Sequence, residues 1–298
     1  MITAILGALG ALTAWFGVLF GLDIYKNKDN LEKDTSFWIS GGIGAFTNFF
    51  DTLGIGSFAP TTALLRFFKQ TKDRVLPGTL NVSCTMPVVF EAFLFISAIN
   101  VEIITLVSML AAATIGAYFG AGLISKLPER KIQLIMGIAL LATAFMMFAS
   151  IMGWMPGGGE ALGLTGMKLI VGIVGNFILG VLMTAGIGLY APCMALVYFL
   201  GMSPKVAFPI MMGSCAFLMP VASAKFIKEQ AYNKKASLAI TIGGLVGVAL
   251  AFYIVKEMPL SVLRWLVIAV VLYTGGTLLY SSTKPATVHE VAEVEKAV

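Results

Sequence analysis

The sequence is poor in nearly everything that chemistry in water draws on. A single histidine, His289, stands among 298 residues, and it lies in a polar C-terminal stretch. The three cysteines, Cys84, Cys193 and Cys215, all sit inside apolar runs, without CxxC spacing or a disulfide framework. A Ser-His-Asp set and a His-ligated metal therefore have no material in the apolar region. No G-x-x-x-x-G-K-[ST] motif occurs, which excludes ATP hydrolysis by a P-loop in this chain. The reading is of a protein with no cofactor, no metal and no catalytic residue. Charged residues are also scarce, at 12%, where a soluble domain carries about 25%. The formal net charge of +5 is spread through short loops between apolar runs. It lacks the aromatic-flanked basic patches of nucleic-acid binding, so nucleic acid is set aside as a partner and the charge reads as membrane orientation.

What is abundant is apolar surface. Hydrophobic residues make up 58% and the mean hydropathy is +0.93. A chain this apolar cannot cover itself with polar side chains, so its solvent is lipid for most of its length. Runs long enough to span, about 20 residues, occur at 2–22, 79–99, 102–125, 131–153, 206–227, 236–255 and 261–281. The first begins without a basic n-region or a small-residue cleavage site, and reads as a spanning helix and not a signal peptide.

Two further stretches, 37–68 and 167–200, are too long for one span. Each is interrupted by glycines, in DTLGIGS at 51–57 and MTAGIGL at 183–189. Halves of about 14 residues make about 21 Å of helix, short of the roughly 30 Å hydrocarbon core. Two short helices meeting at a glycine turn predict a re-entrant hairpin. The two stretches also match each other. Thr52 falls on Thr184, Gly54 on Gly186, Gly56 on Gly188 and Pro60 on Pro192. Further on, Ser83-Cys84 falls on Ser214-Cys215 and Leu127-Pro128 on Met258-Pro259, always at an offset of 131 or 132 residues. That constancy indicates an internal duplication.

Lysines and arginines set the topology. With both stretches as hairpins, sixteen fall on one side and four on the other; with both crossing fully, they divide evenly at ten and ten. The positive-inside rule favours hairpins. Each repeat then holds a hairpin and three spans, and three is odd, so the second repeat enters from the opposite face. The expected fold is thus an all-α integral membrane protein with seven spanning helices plus two re-entrant helical hairpins in two inverted-topology repeats. Its N-terminus is outside and its C-terminus cytoplasmic, in a multi-pass cell membrane protein. The divisions are 1–36, an extra helix and loop; 37–153, repeat 1; 154–282, repeat 2; and 283–298, a polar tail. Such inverted repeats with broken helices hold a substrate near the midplane in many secondary transporters.

Candidate site residues follow from that plan. Glycines let the chain reverse tightly at each break. The second short helix starts there, at Ser57 or Leu189, with free N–H groups and about half a positive charge. Two such ends aimed at one centre suit an anion without any arginine. The substrate-binding candidates are Thr52, Gly54, Gly56, Ser57, Thr61, Thr184, Gly186, Gly188 and Cys193, with Ser83 and Ser214 on the helices that carry internal prolines, Pro87 and Pro220. The competing reading is that the glycines only permit close helix packing and that the serines only bond between helices. Asp51 and Glu91 lie within apolar runs and are candidates for a coupling proton, since intramembrane charges are costly and usually functional. Asn48, Asn81, Asn176 and Lys225 are further cavity candidates, although Lys225 can also snorkel toward the loop with Lys228. GIGSFAP is not a nucleotide-binding GxGxxG, because no strand precedes it.

At GAFTNFFDTLGIGSFAPTTAL, GNFILGVLMTAGIGLYAPCMAL and ISKLPERKIQLIMGIAL the chain resembles the sulfite exporter TauE/SafE family, over about residues 37–282. That family carries two glycine-rich segments followed by a proline, usually as GIGGG, where this chain has GIGSF and GIGLY. The resemblance implies transport of sulfur-containing anions such as sulfite, sulfonates or sulfoacetate, by export. The expected function is a secondary transporter of a small anion by alternating access, with membrane lipid as its surroundings and a homodimer left open. The alternatives are an anion channel on the same scaffold or a non-catalytic subunit of a membrane complex.

Overall fold

A computed structural model describes residues 2–98, 100–154, 159–254 and 260–283. Lys256, the Met258-Pro259 pair and the tail with Lys284, His289 and Lys296 lie outside the described residues. Those described fold into helices without named strands: α1 (Ile2–Lys26), α2 (Phe37–Thr52), α3 (Phe58–Phe67), α4 (Leu76–Ala98), α5 (Ile103–Ile124), α6 (Glu129–Ile151), α7 (Gly166–Thr184), α8 (Tyr190–Phe199), α9 (Pro204–Lys228), α10 (Lys234–Ile254) and α11 (Leu260–Thr283).

Seven described helices are long and apolar enough to cross a membrane: α1, α4, α5, α6, α7, α9 and α10. Six of these are expected spans, and α11, the remaining expected one, runs 24 residues. The seventh, α7, is the first arm of the second interrupted stretch. Its 19 residues make about 29 Å. The expectation of two equal arms of about 14 is corrected, since the stretches divide 16 and 10, then 19 and 10. Local chemistry sets the break points. Gly54 and Gly186 take φ of 82° and 94°, which ends the first arm. Pro60 and Pro192 must fall in the first turn of the next helix, where a missing N–H costs nothing. The second arms stop where Lys69 (φ 54°) and Gly201 (φ 83°) turn left-handed. The breaks are not identical: Gly56 is also left-handed, at 90°, and Gly188 is not.

The packing is reciprocal. α2 packs on α10 and α7 on α5; α3 packs on α11 and α8 on α6; α4 and α9 pack on each other. Each interrupted stretch therefore lies against the helices that follow the other one. Close approach makes these contacts: a Cβ on Gly247 would strike the Ala45 carbonyl, and one on Gly180 the Ala113 carbonyl. Backbones this near each other are how helices associate where lipid is as apolar as leucine. α4 and α9 form the centre, with 72% and 83% of their spanning windows buried, against 17% for α1 and 22% for α7. Pro87 frees the Ser83 carbonyl, and Thr241 of α10 donates to it at 2.9 Å. The outer surface bears Phe119, Leu123, Phe145 and Met167, all exposed, as lipid-facing positions require.

Polar contacts gather at two ends. At one, the Ser36 N–H, just before α2, donates to Gln70 Oε1, just after α3, at 2.6 Å. Asn233 joins Thr35 at 2.8 Å and the Gln70 carbonyl. Glu32 accepts from the Lys234 and Lys235 N–H groups, capping α10. Arg66 grips Asp73 with two bonds, at 2.9 and 3.1 Å, and Gln133 of α6 reaches the same carboxylate. The loops α1–α2, α3–α4, α5–α6 and α9–α10 thus meet at this end. At the other, Lys168, near the start of α7, donates to the Leu200 carbonyl, which closes α8, at 3.1 Å. The Glu102 N–H donates to the Leu162 carbonyl, and the Ser203 N–H to the Ala161 carbonyl.

Candidate functional site

The two breaks come together in the middle of the bundle. Because Pro60 and Pro192 remove one N–H from each first turn, the donors there without a partner in their own helix belong to Ser57, Phe58 and Ala59 of the first stretch and to Leu189, Tyr190 and Ala191 of the second. All six residues line one small cavity, with Gly56 and Gly188 beside them. Asp51, Val88 of α4, Thr143 of α6 and Cys215 of α9 complete much of the wall. The cavity is about 30 Å³, room for about two waters. A second chamber of about 90 Å³ adjoins it, sharing Ile55 and Ala191, with Met147, Met194 and Tyr198 in its walls. Among the described residues no lysine, arginine or histidine lines either space.

Two carboxyl groups lie at the site, Asp51 in the cavity wall and Glu91 bonded to the wall residue Tyr190. Asp51 Oδ2 accepts from the Ser57 hydroxyl at 2.8 Å, and the Ser57 backbone N–H also reaches it. A carboxylate there sits on the N-terminus of α3, where the helix field favours negative charge. Glu91, fully buried on α4, faces both breaks: Thr52 Oγ1 lies 2.9 Å from its Oε1, and Tyr190 Oη donates to its Oε2 at 2.9 Å.

The remaining candidates divide. Asp51, Gly56, Ser57 and Gly188 line the cavity, and Thr52 lies behind it, bonded to Glu91, which in turn bonds the wall residue Tyr190. Gly54 lines the adjoining chamber. Thr61 bonds Thr47 within the first stretch at 2.8 Å. Thr184 donates back to the Val181 carbonyl and faces Gly120 of α5, so the aligned threonines have different surroundings. Gly186 lies against Met136. Cys193 is buried on α8. Ser214 accepts from Asn176 of α7 at 2.8 Å, an interhelical contact, while Ser83 turns to the Leu80 carbonyl. Asn48 and Asn81 donate to carbonyls one turn back on their own helices. Lys225 lies 4.1 Å over the Tyr118 ring, toward the basic end. Sequence reasoning passed over Tyr190 and Thr143. The first had a signal: Tyr190 falls on Phe58 at the repeat offset, so a hydroxyl is added at one break only.

A lipid-facing exterior and spanning helices, with a small, mostly apolar pocket among them that Asp51, Ser57 and Thr143 border, define a multi-pass membrane protein. The sulfite exporter TauE/SafE profile matches residues 1–147 and 168–297, nearly the whole chain, and the chain belongs to that family, whose members are membrane transporters and not enzymes. The gap in the match, residues 148–167, covers the end of α6 and the connection to α7. No curated protein matches the chain. No solved structure matches it either.

Proposed function

We propose that this protein is a secondary transporter of a small sulfur-containing anion, such as sulfite or a sulfonate, working by alternating access and coupled to protons. One observation carries the reading: the first residues of two helix starts, from two repeated segments, line the same cavity. Helix N-termini bind anions by dipole and donor geometry, and the family of this chain is named for sulfite. The cavity, at about 30 Å³, is far too small to be a continuous pore, which favours a carrier over an open channel. The second break is the better half of the site. At the first, Asp51 already covers the start of α3, whereas its partner by offset, Met183, leaves the start of α8 open.

In the same proposal the interrupted stretches are re-entrant hairpins in inverted repeats. The hydrogen bonds that join Ser36 to Gln70 and Lys168 to Leu200 support it, since each stretch begins and ends at one end of the bundle. The end that gathers Arg66, Lys72, Lys126, Arg130, Lys228 and Lys234 is then cytoplasmic, with the N-terminus outside. The test is flux. In liposomes, purified protein should take up sulfite or a sulfonate with saturation, and unlabelled anion on the far side should accelerate entry of labelled anion. Conductance without exchange would make it a channel, and no flux of any sulfur anion would end the reading. Cysteines placed at Asn30 and Gln70 should react with an impermeant label from the same face; opposite faces would rule out the first hairpin.

A further inference from the structure

We infer that the two buried carboxyl groups have separate duties, with Glu91 carrying the coupling proton and Asp51 remaining a fixed carboxylate that caps α3. The inference deepens the transport reading and rests on counting hydrogens. Thr52 owns one hydroxyl proton, yet its Oγ1 lies 3.0 Å from the Asn48 carbonyl and 2.9 Å from Glu91 Oε1. Both oxygens can only accept if Glu91 is ionised, and one of the two contacts then lacks a proton at its centre. With a proton on Glu91 Oε1 every contact is satisfied: Glu91 donates to Thr52, Thr52 donates to the Asn48 carbonyl, and Tyr190 donates to Glu91 Oε2. Buried polar groups are rarely left unpaired, so the protonated arrangement is the one this geometry fits. Asp51 stands differently. Its partners at Ser57 are a hydroxyl and a backbone N–H that both donate to it, so neither contact needs a proton from Asp51.

Among the described residues no cation compensates the pair. The groups facing Glu91 are Asp51 from α2, Tyr190 from α8, Cys215 from α9 and Cys84 on its own helix. Three cations on the surrounding helices are engaged toward the bundle ends, Arg66 with Asp73, Lys168 with the Leu200 carbonyl and Lys225 over Tyr118. An anion entering the cavity meets one fixed negative charge if Glu91 is protonated and two if it is not. Proton and anion therefore load together and leave together. The proton comes from water on the open side, rides on Glu91 Oε1, and departs to water on the other side, while Tyr190 and Thr52 keep theirs.

Two measurements test this. Infrared spectra of purified protein at neutral pH should show the C=O band of a protonated carboxyl that Glu91→Gln removes and Asp51→Asn leaves in place. A band that survives Glu91→Gln, or that disappears with Asp51→Asn, overturns the assignment. In liposomes, wild-type uptake should change by up to about tenfold per pH unit and bring in about one proton per anion. Glu91→Gln, whose amide can donate to Thr52 and accept from Tyr190, should bring in no proton with the anion it still carries, and its uptake should lose the pH dependence. Proton uptake that persists in Glu91→Gln refutes the role. Should wild type carry no sulfur anion, the transport proposal falls alone, because the infrared arm still decides where the proton sits.

Discussion

Tyr190→Phe isolates the one hydrogen bond that joins the second break to α4. The ring stays, and only the hydroxyl that donates to Glu91 Oε2 at 2.9 Å is lost. Both partners are buried, so water does not replace it. The size of the loss depends on the acceptor. A hydrogen bond to a neutral group contributes about 1 kcal/mol, and one to a charged group about 1.5–3 kcal/mol. With a protonated Glu91 the change should cost about 1 kcal/mol, or about 2–4 °C in melting temperature for a chain of this size. The decisive version repeats Tyr190→Phe in a Glu91→Gln background. A glutamine carbonyl accepts from Tyr190 much as a neutral carboxyl does, so the cost should be nearly the same in both backgrounds and the coupling near zero. The assay is denaturant unfolding of purified protein in a fixed detergent, with all four proteins compared. If the change costs about 1–2 kcal/mol more in wild type than in Glu91→Gln, Glu91 is charged and the division of labour is wrong. If it costs nothing in either, the bond does not exist.

Further outcomes follow from other contacts. Gly180→Ala and Gly247→Ala each drive a methyl into a facing backbone carbonyl, and should each destabilise by about 1–3 kcal/mol or more, seen as lower folded yield on size exclusion; Gly122→Ala, which meets nothing within 4 Å, is the control. Asp51→Asn removes the charge at the start of α3, costing about 0.3–1 kcal/mol, and should tighten anion binding about tenfold by lifting repulsion, as read by thermal shift with sulfite. Thr52→Val should alter anion binding in that assay more than Thr184→Val, because only Thr52 touches Glu91. Glu102 caps α5, and hydrogen bonds from the Thr105 side chain and backbone hold its carboxyl below the usual range. A depressed value means the contribution is present above the unfolded pKa and fades as pH falls through the folded one. Glu102→Ala should cost about 1 kcal/mol at neutral pH and less in acid, and equal costs across that range would contradict the cap.

The membrane class, six of the spans and the places where two stretches break were legible in the residues themselves. Apolar run length reports on lipid because nothing but a helix or closed barrel can satisfy its backbone there. Glycines and prolines report on breaks because φ and the missing N–H act locally, whatever surrounds them. The match of GIGSFAP to GIGLYAP carried the further expectation that two helix starts serve one site, and the cavity contains both. The arm lengths were misjudged, since proline placement in the first turn, and not the midpoint of the run, sets where the second helix begins.

Which way each helix faces was decided by tertiary structure alone. In water an amphipathic stripe marks the buried side, but α4, α5, α6 and α9 are apolar all round, and lipid and protein interior read alike. Facing is settled by close backbone approach, at Gly180 against Ala113 and Gly247 against Ala45, and those pairings join residues far apart in sequence. The aligned threonines illustrate the consequence: Thr52 turns to Glu91 and Thr184 to α5, though the sequence treats them as equals. Glu91 and Tyr190, 99 positions apart, become partners only once α4 and α8 are packed. The chain by itself determined its solvent, its helices and its turning points; the packed bundle determined which polar groups meet, because in an apolar medium only contact geometry distinguishes one face from another.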